Sequence, residues 1–303
     1  MQNVYESVAA NKRKSWLIMI LFTLFVAGAA WIFGEALGYG PSYVGTGLIF
    51  AGLISFFGYW YSDKIILSIS GARPVSRKEF FDFYTVTENL CLAAQLPKPK
   101  LYVIDDSAMN AFATGRDPEH AVVCATTGIL ERLNRTELEG VIGHELSHVR
   151  NYDMRLMSIV TILVGMVTLL ADWFIRISWF GGGRRNRDDE GGQIRAVMAI
   201  LGIILALLSP IIAQLIQLAI SRRREFLADA SSTLLTRQPS GLINALKKLE
   251  ADREPLEAAN KATAHLYITN PLKNRRDNIG WFAGLFSTHP PVKERIKALE
   301  TMM

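Results

Sequence analysis

Four long apolar runs constrain this chain more than any other feature. Trp16–Phe33, Val44–Tyr61, Leu156–Phe180 and Ala196–Ile220 each fall within the range of about 17–25 apolar residues that spans a hydrocarbon core as helix. A chain of 303 residues that is 50% hydrophobic could instead be one large soluble domain, so distribution decides. Charge collects at the N-terminus, in the middle and in the last third, and the runs are nearly bare of it. Asp172 and Arg176 in the third run are the exception, spaced to pair across one helical turn or to snorkel towards an interface. The competing reading, that runs three and four are buried helices of a soluble core, is disfavoured by their length.

Lys12, Arg13 and Lys14 precede the first run, and Ala27-Gly28-Ala29 within it resembles a signal-peptide cleavage site. A second run follows almost at once, so an uncleaved signal-anchor is expected. The link from Glu35 to Tyr43 has no Lys or Arg, whereas Lys64, Arg73, Arg77 and Lys78 follow the second run, which places both outer ends in the cytoplasm. Between runs three and four lies the Gly-rich loop 181–192, expected outside. Its Arg184, Arg185 and Arg187 oppose that placement, while Arg222, Arg223 and Arg224 support it. The chain thus divides into a transmembrane hairpin (1–62), a first catalytic part (63–155), a second hairpin (156–220) and a second catalytic part (221–303).

The polar parts read as α+β, mainly α. Ser76 to Gln95 has apolar residues at helical spacing, and helices are also expected near Ser240–Leu249 and Val292–Met302. Leu101–Ile104, Ala121–Cys124 and Asn110–Thr114 read as short strands of a small β-sheet. With 33 Lys+Arg against 28 Asp+Glu, and the basic residues beside the apolar runs, nucleic-acid binding has little support. Cys91 and Cys124 are too few and too far apart for a disulfide framework or a cysteine metal site, and are expected to be reduced and buried.

The strongest chemical signal is His144-Glu145-Leu146-Ser147-His148, an H-E-x-x-H segment. Asn134 is the expected N-cap, with Glu137 three residues on, and Leu138, Val141, Ile142, Leu146 and Val149 form the helix's apolar stripe. Four-residue spacing puts His144 and His148 one turn apart, where both imidazoles reach one tetrahedral Zn²⁺ and Glu145 stands ready to take a proton from water. Glu225 is the candidate third ligand, and Asp229, one turn further, can accept a hydrogen bond from a ligand imidazole. The alternative for this pair is a solvated helix face that neutralises the arginines at 222–224. An even number of crossings returns Glu225 to the side of the histidines. His120 and His265 read as surface or packing residues. His289 stands in a Ser-Thr-His-Pro-Pro turn followed by Arg295, and an imidazole or guanidinium there could stabilise an oxyanion. Ala251 to Ala264, with alternating charge and much Ala, reads as a mobile helix or loop.

Taken together, Asn110-Ala-Phe-Ala-Thr-Gly115, the His144–His148 motif, Glu225–Asp229 and His289-Pro-Pro-Val-Lys-Glu-Arg295 resemble the HtpX family of membrane metallopeptidases, gluzincins related to the CAAX prenyl proteases. The resemblance spans nearly the whole chain. It implies a zincin-like domain facing the cytoplasm of a bacterial inner membrane, and one Zn²⁺ per chain on His144, His148 and Glu225. It further implies Glu145 as general base, Asp229 as partner of a ligand histidine, and His289 and Arg295 as residues serving the transition state. Asn110, Ala111, Phe112 and Ala113 would bind an extended substrate by strand addition. The expected substrates are misfolded or unfolded membrane proteins, in quality control. Two rivals stay open: a prenyl-protein protease, and a zinc-stabilised membrane scaffold or chaperone without proteolysis.

Overall fold

The computed structural model describes residues 4–36, 42–163, 165, 222–259, 263–271 and 290–303. The loop 181–192, the fourth apolar run, the third run beyond residue 165, and His289 lie outside the described residues. The first two runs fall on helices α1 (Val4–Ala36) and α2 (Ser42–Trp60), which pack against one another. Among the described residues no helix is both long and apolar enough to cross a membrane.

After the short α3 (Ser62–Ile69) and β1 (Arg73–Pro74) comes α4 (Phe81–Ala94), which starts later than the apolar spacing predicts. Ser76 uses its carbonyl to hold the amides of Glu79 and Phe80 in a turn, so the periodic residues before Phe81 belong to that turn. The expected strands all form: β2 (Lys100–Ile104), β3 (Ala111–Thr114) and β4 (Val122–Thr126) join β1 in a sheet of order β1-β2-β4-β3. β4 runs parallel to β2 and antiparallel to β3, opposing Cys124 to Tyr102 and to Phe112. All five β4 residues are buried, as expected for a central strand of small and branched side chains covered on both faces.

The helix α5 (Thr127–Arg132) leads to α6 (Arg135–Arg150), and residues 153–163 form a further helix, α7. The last described helices are α8 (Arg222–Thr236), α9 (Pro239–Ala251) and α10 (Val292–Glu300). One side of the sheet packs on α4, α6 and α9 through Val86, Leu90, Val103, Val123, Val141 and Leu246. The other side buries Ile104, Phe112 and Cys124 against Ile66, Met157, Leu256 and Tyr267. Both cysteines are free and buried as expected, and burial pushes the Cys91 thiol up to about 11.

Two residues expected to be mobile prove to be tethered. Asp252 accepts the Met109 amide at 2.7 Å, and the Glu257 amide donates to Asp106 at 3.0 Å, so residues 252–259 are an irregular segment fastened to the sheet. Close approach of α9 to α6 depends on glycine: a Cβ on Gly140 would stand 2.6 Å from the Leu242 nitrogen, and one on Gly241 2.5 Å from the Thr136 carbonyl oxygen. Gly to Ala inside a helix ordinarily gains about 1 kcal/mol. Here the methyl meets backbone that cannot step aside, and overpacking costs about 1–3 kcal/mol. Gly140→Ala is therefore expected to lower the thermal midpoint of the detergent-solubilised protein, and a raised midpoint would contradict this packing.

Candidate metal centre

α6 begins as its sequence requires. The Asn134 side chain accepts the Glu137 amide at 2.9 Å, and the Glu137 carboxylate accepts the Asn134 amide at 2.9 Å, which closes a capping box. Glu137 also receives Lys248 from α9 at 2.6 Å. This fixed start sets the rotation of the helix, so that Leu138, Val141, Ile142, Leu146 and Val149 enter the core and His144 and His148 turn towards α8.

α8 approaches along small residues. Ser232 donates to the Gly140 carbonyl at 2.7 Å, and a Cβ on Gly143 would stand 2.7 Å from the Ser232 hydroxyl oxygen. At that separation Glu225 and Asp229, one turn apart on α8, reach the histidines of α6. His144 Nε2 lies 3.6 Å and His148 Nε2 3.5 Å from the Glu225 carboxylate, and the two Nε2 atoms are 3.2 Å apart. One atom from each of His144, His148 and Glu225 falls within 4.8 Å of the others, and all three residues are buried. The solvated-face alternative for Glu225 and Asp229 is thereby removed: each is 1% exposed.

The outer nitrogens face carboxylates. His144 Nδ1 is 2.9 Å from Asp229, and His148 Nδ1 is 3.1 Å from Asp153. A carboxylate facing Nδ1 keeps the proton there and leaves the Nε2 lone pair pointing inward. Two lone pairs and a carboxylate converging on one small volume repel each other unless a cation lies among them. Glu145, Asp153, Glu225 and Asp229 are all buried; Arg295 pairs with Asp229 and approaches Glu225, and the largely buried Arg224 pairs with Asp153. Burial alone would lower the His144 pKa, but its hydrogen bonds to Asp229 and Glu225 outweigh burial and raise it to about 9, so without metal a proton takes the cation's place.

Arg295 lies on α10 and is wholly buried. Its guanidinium grips Asp229 with two hydrogen bonds of 2.8 and 2.6 Å, donates to the Ile268 carbonyl at 3.0 Å, and comes within 4.0 Å of Glu225. Burial alone would raise the Asp229 pKa, yet this arginine holds it down at about 2. Arg295 therefore meets the centre chiefly at Asp229, and also lies 3.4 Å from His144 Nδ1. Glu145, 2% exposed, follows His144 on α6 and is close enough to Arg295 to raise that guanidinium's pKa.

Asn110, Ala111, Phe112 and Ala113 are each at most 3% exposed, and β3 packs on α6. The outer edge of β3 is partly taken by the chain itself: the Ile268 amide donates to the Ala111 carbonyl at 3.0 Å, and the Asn110 amide group donates to the Thr269 carbonyl at 3.1 Å. Tyr267 also stacks edge-on against Phe112 with centroids 5.1 Å apart. His120 is a surface residue paired to Asp117 at 2.6 Å. Sequence reasoning missed Asp153. In an unbroken helix a residue five beyond His148 would point well away from it, but α6 ends at Asn151 and Tyr152 turns back with φ 60°, which returns Asp153 to the imidazole.

Removing one member of a buried ion pair leaves an uncompensated charge and costs about 3–5 kcal/mol. Arg295→Met is accordingly expected to destabilise the metal-free protein by that order in detergent melts. A change under about 1 kcal/mol would mean that Asp229 does not depend on Arg295.

Residues 78–303 match peptidase family M48. Over 301 residues the chain is 41% identical to the protease HtpX homolog of Caldanaerobacter subterraneus subsp. tengcongensis, covering 99% of this chain and 98% of the relative. It is 43% identical over 304 residues to that of Dictyoglomus turgidum (98% and 94% covered) and 42% identical over 306 residues to that of Ligilactobacillus salivarius (99% and 100% covered). The crystal structure of S. mikatae Ste24p is more distant, at 18% identity and a TM-score of 0.49, with 95% of this chain and 67% of that chain covered. The chain is a metalloprotease and belongs to peptidase family M48, among the protease HtpX homologs.

Proposed function

We propose that the chain is a membrane-embedded zinc endopeptidase whose metal is held by His144, His148 and Glu225 and whose general base is Glu145. The observation that carries the reading is the convergence of two imidazole Nε2 atoms on one carboxylate, each imidazole faced from behind by an aspartate. Two imidazoles and a carboxylate are the ligand set of a catalytic zinc that keeps a fourth position open, unlike a closed structural site. When bound there, zinc supplies Lewis acidity, lowering the pKa of water from about 16 towards 7 and polarising the scissile carbonyl.

The chain's own groups do the rest. Asp229 and Asp153 fix the ligand imidazoles, and Arg295 keeps Asp229 ionised. Glu145 takes the proton of the attacking water and passes it to the leaving amine. His289 and Arg295 assist as the oxyanion develops. An extended peptide adds to β3 at Asn110–Ala113, displacing Ile268 from the Ala111 carbonyl.

Membrane residence draws support from α1 and α2, which expose Trp16, Leu17, Ile20, Leu21, Leu24, Ile49, Phe50 and Phe57 at 49% or more of their surfaces. Water would not tolerate so large an apolar belt on a monomer, and lipid would. In this reading the four runs span the inner membrane, the four-part division holds, and the centre faces the cytoplasm, where misfolded membrane proteins present unfolded segments.

Glu145→Gln is expected to bind zinc like the wild type and to lose at least about 100-fold in cleavage of casein. Casein cleavage by Glu145→Gln at the wild-type rate would refute the general-base role, and wild-type zinc affinity in His148→Ala would refute the ligand set.

A further inference from the structure

The histidine supports do not end at Asp153. Its Oδ2 faces His148 Nδ1, and its Oδ1 receives two donors: Asn11 Nδ2 at 2.7 Å and Arg224 at 3.0 Å. Asn11 lies on α1, outside the part of the chain that matches family M48, and it is 2% exposed. Its amide also donates to the Asn151 carbonyl at 2.9 Å and accepts Arg224 at 3.0 Å through Oδ1. These partners admit one amide orientation only. The nitrogen faces two groups that can only accept, and the oxygen faces a guanidinium that can only donate.

From this geometry we infer that Asn11 is a positioning residue of the metal centre, acting through Asp153 on His148. It clamps the Asn151–Asp153 turn from two sides, and with Arg224 it fixes the carboxylate rotamer that holds the proton on His148 Nδ1. Arg224 is the residue before the ligand Glu225, so one side chain from α1 braces the outer partner of a ligand on α6 and the neighbour of a ligand on α8. The first helix thereby completes the centre as well as carrying an apolar run. Nearby contacts place the same stretch of α1 against this corner: Lys12 lies 4.3 Å over the Tyr152 ring. Apolar isosteres of Asn11 would fill its volume and leave Asp153 Oδ1 to Arg224 alone among these two donors.

The inference rests on the metal reading proposed above, and the test separates the two. Zinc affinity of the full detergent-solubilised chain is measured by competition with a chromophoric chelator for wild type, Asn11→Leu, Asp153→Asn, the double variant and Ser15→Ala. Among the described residues Ser15, one turn along α1, bonds to the Asn11 carbonyl in its own helix, and it controls for disturbance of α1 itself. Loss of such outer partners weakens metal binding about 10- to 100-fold. Asn11→Leu is expected to lose about tenfold, Asp153→Asn as much or more, and Ser15→Ala nothing. Because Asn11 acts through Asp153, the double variant should match Asp153→Asn alone. Wild-type affinity in Asn11→Leu, or losses that multiply in the double variant, would overturn the inference while leaving the metal site intact. No zinc binding by wild type would instead overturn the reading beneath it. Should Asn11→Leu not fold, Asn11→Ser is read by the same criteria, and melting of the metal-free variants shows that affinity and not folding has changed.

Discussion

Everything at the centre depends on electron-rich groups held together under cover. An imidazole nitrogen from each of His144 and His148 and a Glu225 carboxylate oxygen converge within 4.8 Å, all buried, and burial multiplies the cost of any charge left uncompensated. A proton on His144 or a divalent cation relieves that repulsion. Arg295 shows how closely the remainder is matched: a fully buried guanidinium is spent on Asp229, which in turn orients one imidazole.

That electrostatic arrangement rests on packing. Gly140 and Gly143 on α6 admit Ser232 of α8, and only at that distance do Glu225 and Asp229 reach the histidines. Gly140 also admits α9, whose Lys248 closes on the capping box that starts α6. One helix, bare of bulk where its neighbours cross it, therefore sets both the core and the ligand geometry. The small sheet covers its apolar side, and α10 contributes one residue, Arg295, to the polar side.

Much of this was legible in the sequence because it is local. The Asn134–Glu137 box, the apolar stripe of α6 and the one-turn spacings of His144–His148 and Glu225–Asp229 are periodic signals, and each became the geometry it implied. The three strands were visible as short branched runs between turns. What was not legible depends on distant segments meeting. Asp153 returns to His148 through a left-handed turn at Tyr152 that no spacing rule anticipates. Asn11 and Asp153, 142 positions apart, meet only in the fold. The apolar periodicity predicts a helix from Ser76, but the Ser76 carbonyl diverts the backbone into a turn while the periodicity runs on, so α4 starts at Phe81. The tether of residues 252–259 was hidden because alternating charge looks the same whether the carboxylates face water or, like Asp252, the amides of another segment.

X-ray absorption at the zinc edge of the purified, zinc-loaded protein tests the central claim most directly, since it reads the metal's neighbours and not the reaction. The account predicts two imidazole nitrogens at about 2.0–2.1 Å and oxygen at about 2.0–2.2 Å, with the imidazole signal roughly halved in His148→Ala. Sulfur bonded to the zinc, or an imidazole signal unchanged by that substitution, would mean that the metal binds elsewhere and that the convergence of α6 and α8 serves another purpose.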